Sequence, residues 1–284
     1  MLKNFIYVVL FAQLFLSLFQ NPSLSNLSIT EIEALNNEPT QIYTFRINEN
    51  MPLYECAVFI SEPTSGSGNG RIEQIKITDT SSDALLQTIF FTSDTYPFNE
   101  DFMTSAAYFI DVTFDGNIEL LVPLERSARY MCFNAFIWDD VSKQFVNHPS
   151  FETVYNPSID FDNKRILSTT SGDQRTNYII RVFENNEFVV TNSIGWGEAW
   201  VEPDAIPNAD EFIHFSEYRP VSGIETIVND FYVHTDFFSW NSDNLDPRLV
   251  PYFEPDSFWD LENPRWRSPL WADDKFVLSL ASQQ

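Results

Sequence analysis

The sequence predicts a mostly β protein of short antiparallel strands, and three observations carry that expectation. Aromatic residues make up 16% of the 284-residue chain, with 27 Phe and 11 Tyr against only 8 Gly, a composition that suits pleated, half-buried surfaces better than helices. Apolar runs recur at short intervals between clusters of polar, Asn, Asp, Gly and Pro residues. At 44% hydrophobic content the chain can bury a real core, as one large domain or two small ones. Strands spaced in this way build a sandwich, a barrel or a propeller.

Residues 1–25 stand apart. Lys3 precedes fifteen almost wholly apolar residues, "FIYVVLFAQLFLSLF", and then "NPSLS", with Ser23 and Ser25 as small residues before a cut. This is the pattern of a secretory signal peptide. The run is shorter than the roughly 20 residues of a membrane-spanning helix, so no stable membrane insertion is expected after cleavage, and the address is periplasmic or secreted. Residues 26–50 form a polar lead-in with one strand signal at "QIYTFRI". A calcium-loop β domain is expected over residues 51–195. Within it "SEPTSGSGNG" is a loop by composition, and "RIEQIKITDT" alternates Ile72, Ile75 and Ile77 imperfectly against polar neighbours. "LLQTIFFTS" and "AAYFIDVTF" follow as strands. "CFNAFIWDDVSKQFV" reads as a hairpin turning at 139–143, and "TNYIIRVFENNEFVVTNSI" as a hairpin turning at Glu184–Glu187, where Asn185 and Asn186 tolerate positive φ.

Near residue 195 the character changes. Residues 196–284 hold six of the seven Trp, half of the 16 Pro, and 17 acidic against 5 basic residues, an aromatic, irregular segment that completes or extends the domain. The whole chain carries a formal charge of −25. A phosphate backbone would be repelled, so nucleic acid is excluded as a partner, whereas a cationic protein or metal ions are attracted. Cys56 and Cys132 either form one disulfide, suited to an oxidising compartment and contributing about 4 kcal/mol in the chain-entropy model, or remain two buried thiols.

The strongest chemical signal is "DVTFDGNIEL", residues 111–120. Asp111, Thr113, Asp115, Asn117 and Glu119 alternate through positions 1, 3, 5, 7 and 9, with Gly116 at position 6. A loop turning sharply at glycine can aim such oxygens at one hard cation, and Ca²⁺ takes six to eight of them. An EF-hand would require a bidentate Glu at position 12, and Val122 stands there. The plain alternative is an Asp-Gly hairpin turn with solvated acids. Five oxygen-bearing residues in strict alternation exceed what a turn requires, which favours a structural Ca²⁺ loop between two strands.

At this motif the sequence resembles the FG-GAP/VCBS class of calcium-binding propeller blades, whose signature is Asp-x-Asn-x-Asp-Gly-x-x-Asp-Leu. Thr113 replaces the usual Asn or Asp and is a weaker ligand, and Glu119 replaces the usual Asp. The resemblance runs over about residues 71–195, where "IKITDTSSDALLQTIFF", "FIDVTFDGNIELL", "AFIWDDVSKQFV", "NPSIDFDNKRILSTTSG" and "YIIRVFENNEFVV" occur in the order seen in a family of secreted bacterial β-propeller-like proteins. That family includes periplasmic immunity proteins that inhibit peptidoglycan-degrading enzymes of an antibacterial type IV secretion system. The resemblance implies a propeller-like arrangement, one calcium loop and a role as an inhibitor of a cationic cell-wall hydrolase.

Catalytic signatures are thin, and the chain is expected not to be an enzyme. His148, His214 and His234 are scattered, and neither a zinc pattern nor a nucleophile motif is present. A carbohydrate-binding or carbohydrate-active reading would place Trp196 and Trp200 as sugar platforms beside Glu198, Glu202 and Asp204; the same Trp residues are weak candidates for a protein interface. A structural secreted domain is the remaining alternative.

Overall fold

The structure is a computed structural model, and it describes residues 38–61, 70–91, 97–98, 105–126, 130–171, 175–198, 211–222, 224–238, 245–254, 258–259 and 261. The signal-peptide segment 1–25 lies outside them. Among the described residues no helix is long and apolar enough to cross a membrane.

Among the described residues the fold is mostly β, with three antiparallel sheets, none of them closed. The first contains β1 (Gln41–Phe45), β2 (Tyr54–Ser61), β3 (Gly70–Asp79) and β4 (Ala84–Phe90), with the short β5 (Pro97–Phe98) also on β3. The second contains β6 (Tyr108–Ile110), β7 (Glu119–Arg126), β8 (Met131–Asp139) and β9 (Gln144–His148). The third contains β10 (Ser158–Asp160), β11 (Arg165–Ser171), β12 (Arg175–Glu184), β13 (Glu187–Glu198), β14 (Phe212–Val221) and β15 (Ile224–His234). β1–β4, β6–β9 and β10–β15 each run as a meander in chain order. A four-residue helix α1 (Val250–Phe253) packs below the third sheet.

Local chemistry explains these strands. The uneven spacing of Ile72, Ile75 and Ile77 has a direct cause: Phe59 faces Gln74 while Ile60 faces Ile72, so Glu73 is an extra residue in the ladder. A bulge of this kind resets the two-residue period, and all three isoleucines are fully buried. Asn185 and Asn186 turn the β12–β13 hairpin with φ of +51° and +63°, the left-handed conformation that a two-residue turn needs. β8 and β9 turn at Asp139, whose carboxylate accepts from the amides of Val141 and Ser142.

Side-chain amides stitch the sheets together. Gln87 of β4 exchanges two hydrogen bonds with the backbone of Phe145 in β9, at 2.9 and 2.8 Å, adding a rung between the first and second sheets. Asn156 accepts from the amide of Met131 and donates to the carbonyl of Thr169, joining β8 to β11.

The core forms two clusters. The larger gathers the first two sheets with Ile166 and Phe188 of the third. The smaller gathers Leu167, Ile180, Ile194, Trp196, Phe215 and Val233 with Tyr252, Phe253 and Trp259. Ile166 and Leu167 are neighbours in β11, and the two-residue strand period sends them into different cores. The compositional division at 195–196 falls inside β13, and the sheet continues through β14 and β15.

Candidate metal centre

The acidic loop joins β6 to β7, with Ile110 and Glu119 paired across its base. Two residues in the left-handed region shape it, Phe114 at φ +61° and Gly116 at φ +90°. The carboxylate of Asp111 accepts from the amides of Asp115 (3.3 Å) and Gly116 (3.0 Å). Asp115 accepts from the backbone amide of Asn117 at 2.7 Å and from its side chain at 3.2 Å. Glu119 accepts from the amides of Val112 (2.6 Å) and Thr113 (3.3 Å). Such local carboxylate bonds stand in for a strand ladder while the chain reverses.

These bonds bring three carboxylates together. Ligand oxygens of Asp111, Asp115 and Glu119 lie within 4.8 Å of one another. Asp115 is exposed, Asp111 half-buried and Glu119 fully buried. Among the described residues, no ion pair links any of the three to an Arg or Lys. Burial pushes the Glu119 carboxyl up to about 8, with the charges of Asp111 and Asp115 adding to the effect. Burial likewise raises Asp111.

The other two residues of the alternation act differently. The Thr113 hydroxyl donates to Glu119 at 3.3 Å, and the side-chain oxygen of Asn117 accepts from Asn48 at 2.8 Å. They brace the loop while the trio pools its charge. Asn48, with the 2.6 Å bond from the amide of Ile118 to the carbonyl of Ile47, ties the loop to the β1–β2 connection. Phe114 meets Phe161 edge-on at 6.1 Å, reaching the turn after β10. The loop thus touches all three sheets. Nothing in the sequence pointed to Asn48, which lies 69 residues from its partner.

A hard dication fits this donor set. An ionised carboxylate has about four acceptor sites, so the backbone amides leave lone pairs for a cation. A buried carboxylate beside two others also lacks the counter-charge that stabilises such groups. The fold supplies that counter-charge elsewhere: Asp160 receives Arg165 at 2.8 Å, and Glu217 receives Arg219 at 2.8 Å.

The structure places two sequence features whose readings were open, the cysteine pair and Trp196. Cys56 and Cys132 are buried and not joined in a disulfide; they stand on β2 and β8, strands of different sheets. Burial raises the Cys56 thiol above its ordinary range. Trp196 is only 8% exposed, stacked on Tyr178 at 4.7 Å in the smaller core. It faces inward because β13 alternates, so it cannot serve as a sugar platform or surface anchor. Trp200, Glu202 and Asp204 lie outside the described residues. The histidines are dispersed: His148 bonds the carbonyl of Asn186, His214 bonds Asp230, and His234 faces Glu211 and Asp236.

No protein-family model matches the chain, and no curated protein matches it. Among solved structures it is similar to a Xanthomonas type IV secretion system related protein, at 14% identity and a TM-score of 0.42, over 67% of this chain and all of that one. It is also similar to a Bacteroides fragilis protein of unknown function at 8% identity and TM-score 0.21, covering 62% of this chain and 91% of that one. A hypothetical selenium-binding protein from Sulfolobus tokodaii gives 8% identity and TM-score 0.32, over 69% of this chain and 55% of that one. At these scores the likeness transfers neither fold nor function.

Proposed function

We propose that this chain is an exported β protein that holds one structural Ca²⁺ in the 111–119 loop and acts by binding a cationic protein, as an inhibitor of a peptidoglycan hydrolase. Its three meanders serve as blades of an open, propeller-like arrangement. One observation carries the calcium reading: the buried Glu119 faces Asp111 and Asp115 with no basic side chain among the described residues to balance them. Asp111, Asp115 and Glu119 hold the ion, while Thr113 and Asn117 brace the turn. A Ca²⁺ bound only by the folded chain adds stability by mass action. The −25 charge supports a cationic partner, through attraction that raises encounter rates.

The metal reading is tested by melting the purified mature protein in Ca²⁺ and in EDTA. Tm should fall in EDTA, and Asp115→Ala should remove the difference; an unchanged wild-type melt returns the loop to an ordinary turn. For the partner, cationic peptidoglycan hydrolases are assayed for lysis with and without the protein. Undiminished lysis across the panel, with no complex on a sizing column, refutes the inhibitor role.

A further inference from the structure

The third sheet ends at β15, and among the described residues no strand pairs with its outer edge. Over Ile224–Asp230 every residue of β15 is exposed, and so are the last three residues of its partner β14. The base of this hairpin is anchored, with Val233 buried and Phe231 packed on the smaller core. Its outer part, Ile224 to Val228, is exposed on both faces, while Asn229 bonds Glu217 and Tyr252 and Asp230 bonds His214. Among the projecting side chains are four large apolar ones: Ile224 is 69% exposed, Ile227 53%, Val221 52% and Val228 40%.

This combination is costly for a ribbon without a partner. Exposed strand edges offer unpaired amides and carbonyls, and they are usually blunted with lysine or proline. The Ile224–Asp230 stretch has neither, although a bulge falls at Val228. β-branched residues also hold their extended rotamers in advance, which lowers the ordering cost of pairing. The only charges on the stretch are those of Glu225 and Asp230.

We propose that the outer edge of β15, from Ile224 to Asp230, is a docking strand for an extended, Lys/Arg-bearing segment of a protein partner. Backbone pairing supplies the affinity of such strand addition, and alternate side chains supply its specificity. Charge selects the occupant: the edge carries only acids and the chain carries −25, so a second copy is repelled and a basic segment attracted. The inference rests on the protein-binding half of the proposed function and is independent of calcium.

The test selects a displayed library of random linear peptides against the full chain at low salt. Enriched peptides should alternate β-branched residues with Lys or Arg. Their affinity should fall about tenfold or more in the Ile224→Asp/Ile227→Asp variant, whose Tm should be unchanged because both side chains are exposed. Glu225→Lys should weaken them further at low salt than at high salt, and amide exchange should slow across 224–230 in the complex. The proposal is overturned by no enrichment over an unrelated acidic protein, by peptides indifferent to these variants, by protection elsewhere, or by a wild-type dimer that the double variant dissolves. A negative EDTA melt or hydrolase assay leaves the peptide result standing, so the two readings can fail separately.

Discussion

Glu119 and Glu217 are both buried carboxylates at 0% and 1% exposure, and their surroundings are opposite. Glu217 accepts from Arg219 (2.9 and 2.8 Å), Asn229 (2.6 Å) and the Tyr252 hydroxyl (2.7 Å). Burial alone would raise its carboxyl, but the bonds from Tyr252, Asn229 and Arg219 hold it below the ordinary range. Glu119 receives backbone amides and one hydroxyl, and its nearest charges are two more carboxylates. The β14–β15–α1 corner is therefore electrically complete within the chain, whereas at the β6–β7 corner no described basic side chain balances the three carboxylates.

The largest expected effect breaks the complete corner. Glu217→Ala strips Tyr252 and Asn229 of their shared acceptor and should cost about 1–3 kcal/mol, the range for buried polar groups left unsatisfied, while Arg219, 53% exposed, returns to solvent. A lower denaturant midpoint at constant m-value would register it; a loss under about 1 kcal/mol would mean that the network does not hold α1 to the sheet.

At the incomplete corner the sign reverses. In EDTA at pH 8, Glu119→Gln should raise Tm, because it removes an uncompensated buried charge, and the variant should lose the response to Ca²⁺. The pH dependence follows from the same group. Its carboxyl moves from 4.5 to about 8 on folding, so across that window the folded state binds the extra proton. Stability from Glu119 is then fully present below about 4.5 and is lost as pH rises towards 8, at up to roughly 1.4 kcal/mol per pH unit. Glu217 behaves oppositely, contributing above its unfolded value and losing its contribution as acid protonates it. Melts across pH in EDTA should therefore decline towards pH 8, and Ca²⁺ should flatten that decline; a flat metal-free profile would contradict the burial of an uncompensated Glu119.

The smallest effect concerns the turn. A Cβ at Gly116 would meet nothing within 4 Å, so Gly116→Ala is opposed only by its φ of +90°, about 1–2 kcal/mol of backbone strain. Urea titration of the variant measures it, and no loss would mean that the loop turns in another way.

Much of this architecture was legible in the residues. The Asn185-Asn186 turn, the turn at Asp139 and the glycine-centred acidic loop all depend on side chains acting within a few positions of themselves. The contacts that escaped depend on the fold. Asn48 reaches Asn117 only because two sheets converge, and Tyr252 reaches Glu217, 35 residues away, only because α1 packs against the third sheet. Composition also left Trp196 undecided. A Trp beside acidic residues reads equally as a core filler or a weak interface candidate, and strand alternation turned this ring into the core between Tyr178 and Phe215.

The division of Ile166 and Leu167 between two cores makes β11 a party wall. A slip of one residue along this strand would withdraw both side chains at once and present each cluster with the other's face. Registry is therefore checked from both sides by independent packing, so neither half of the molecule can anneal around a misaligned β11 without the other rejecting it.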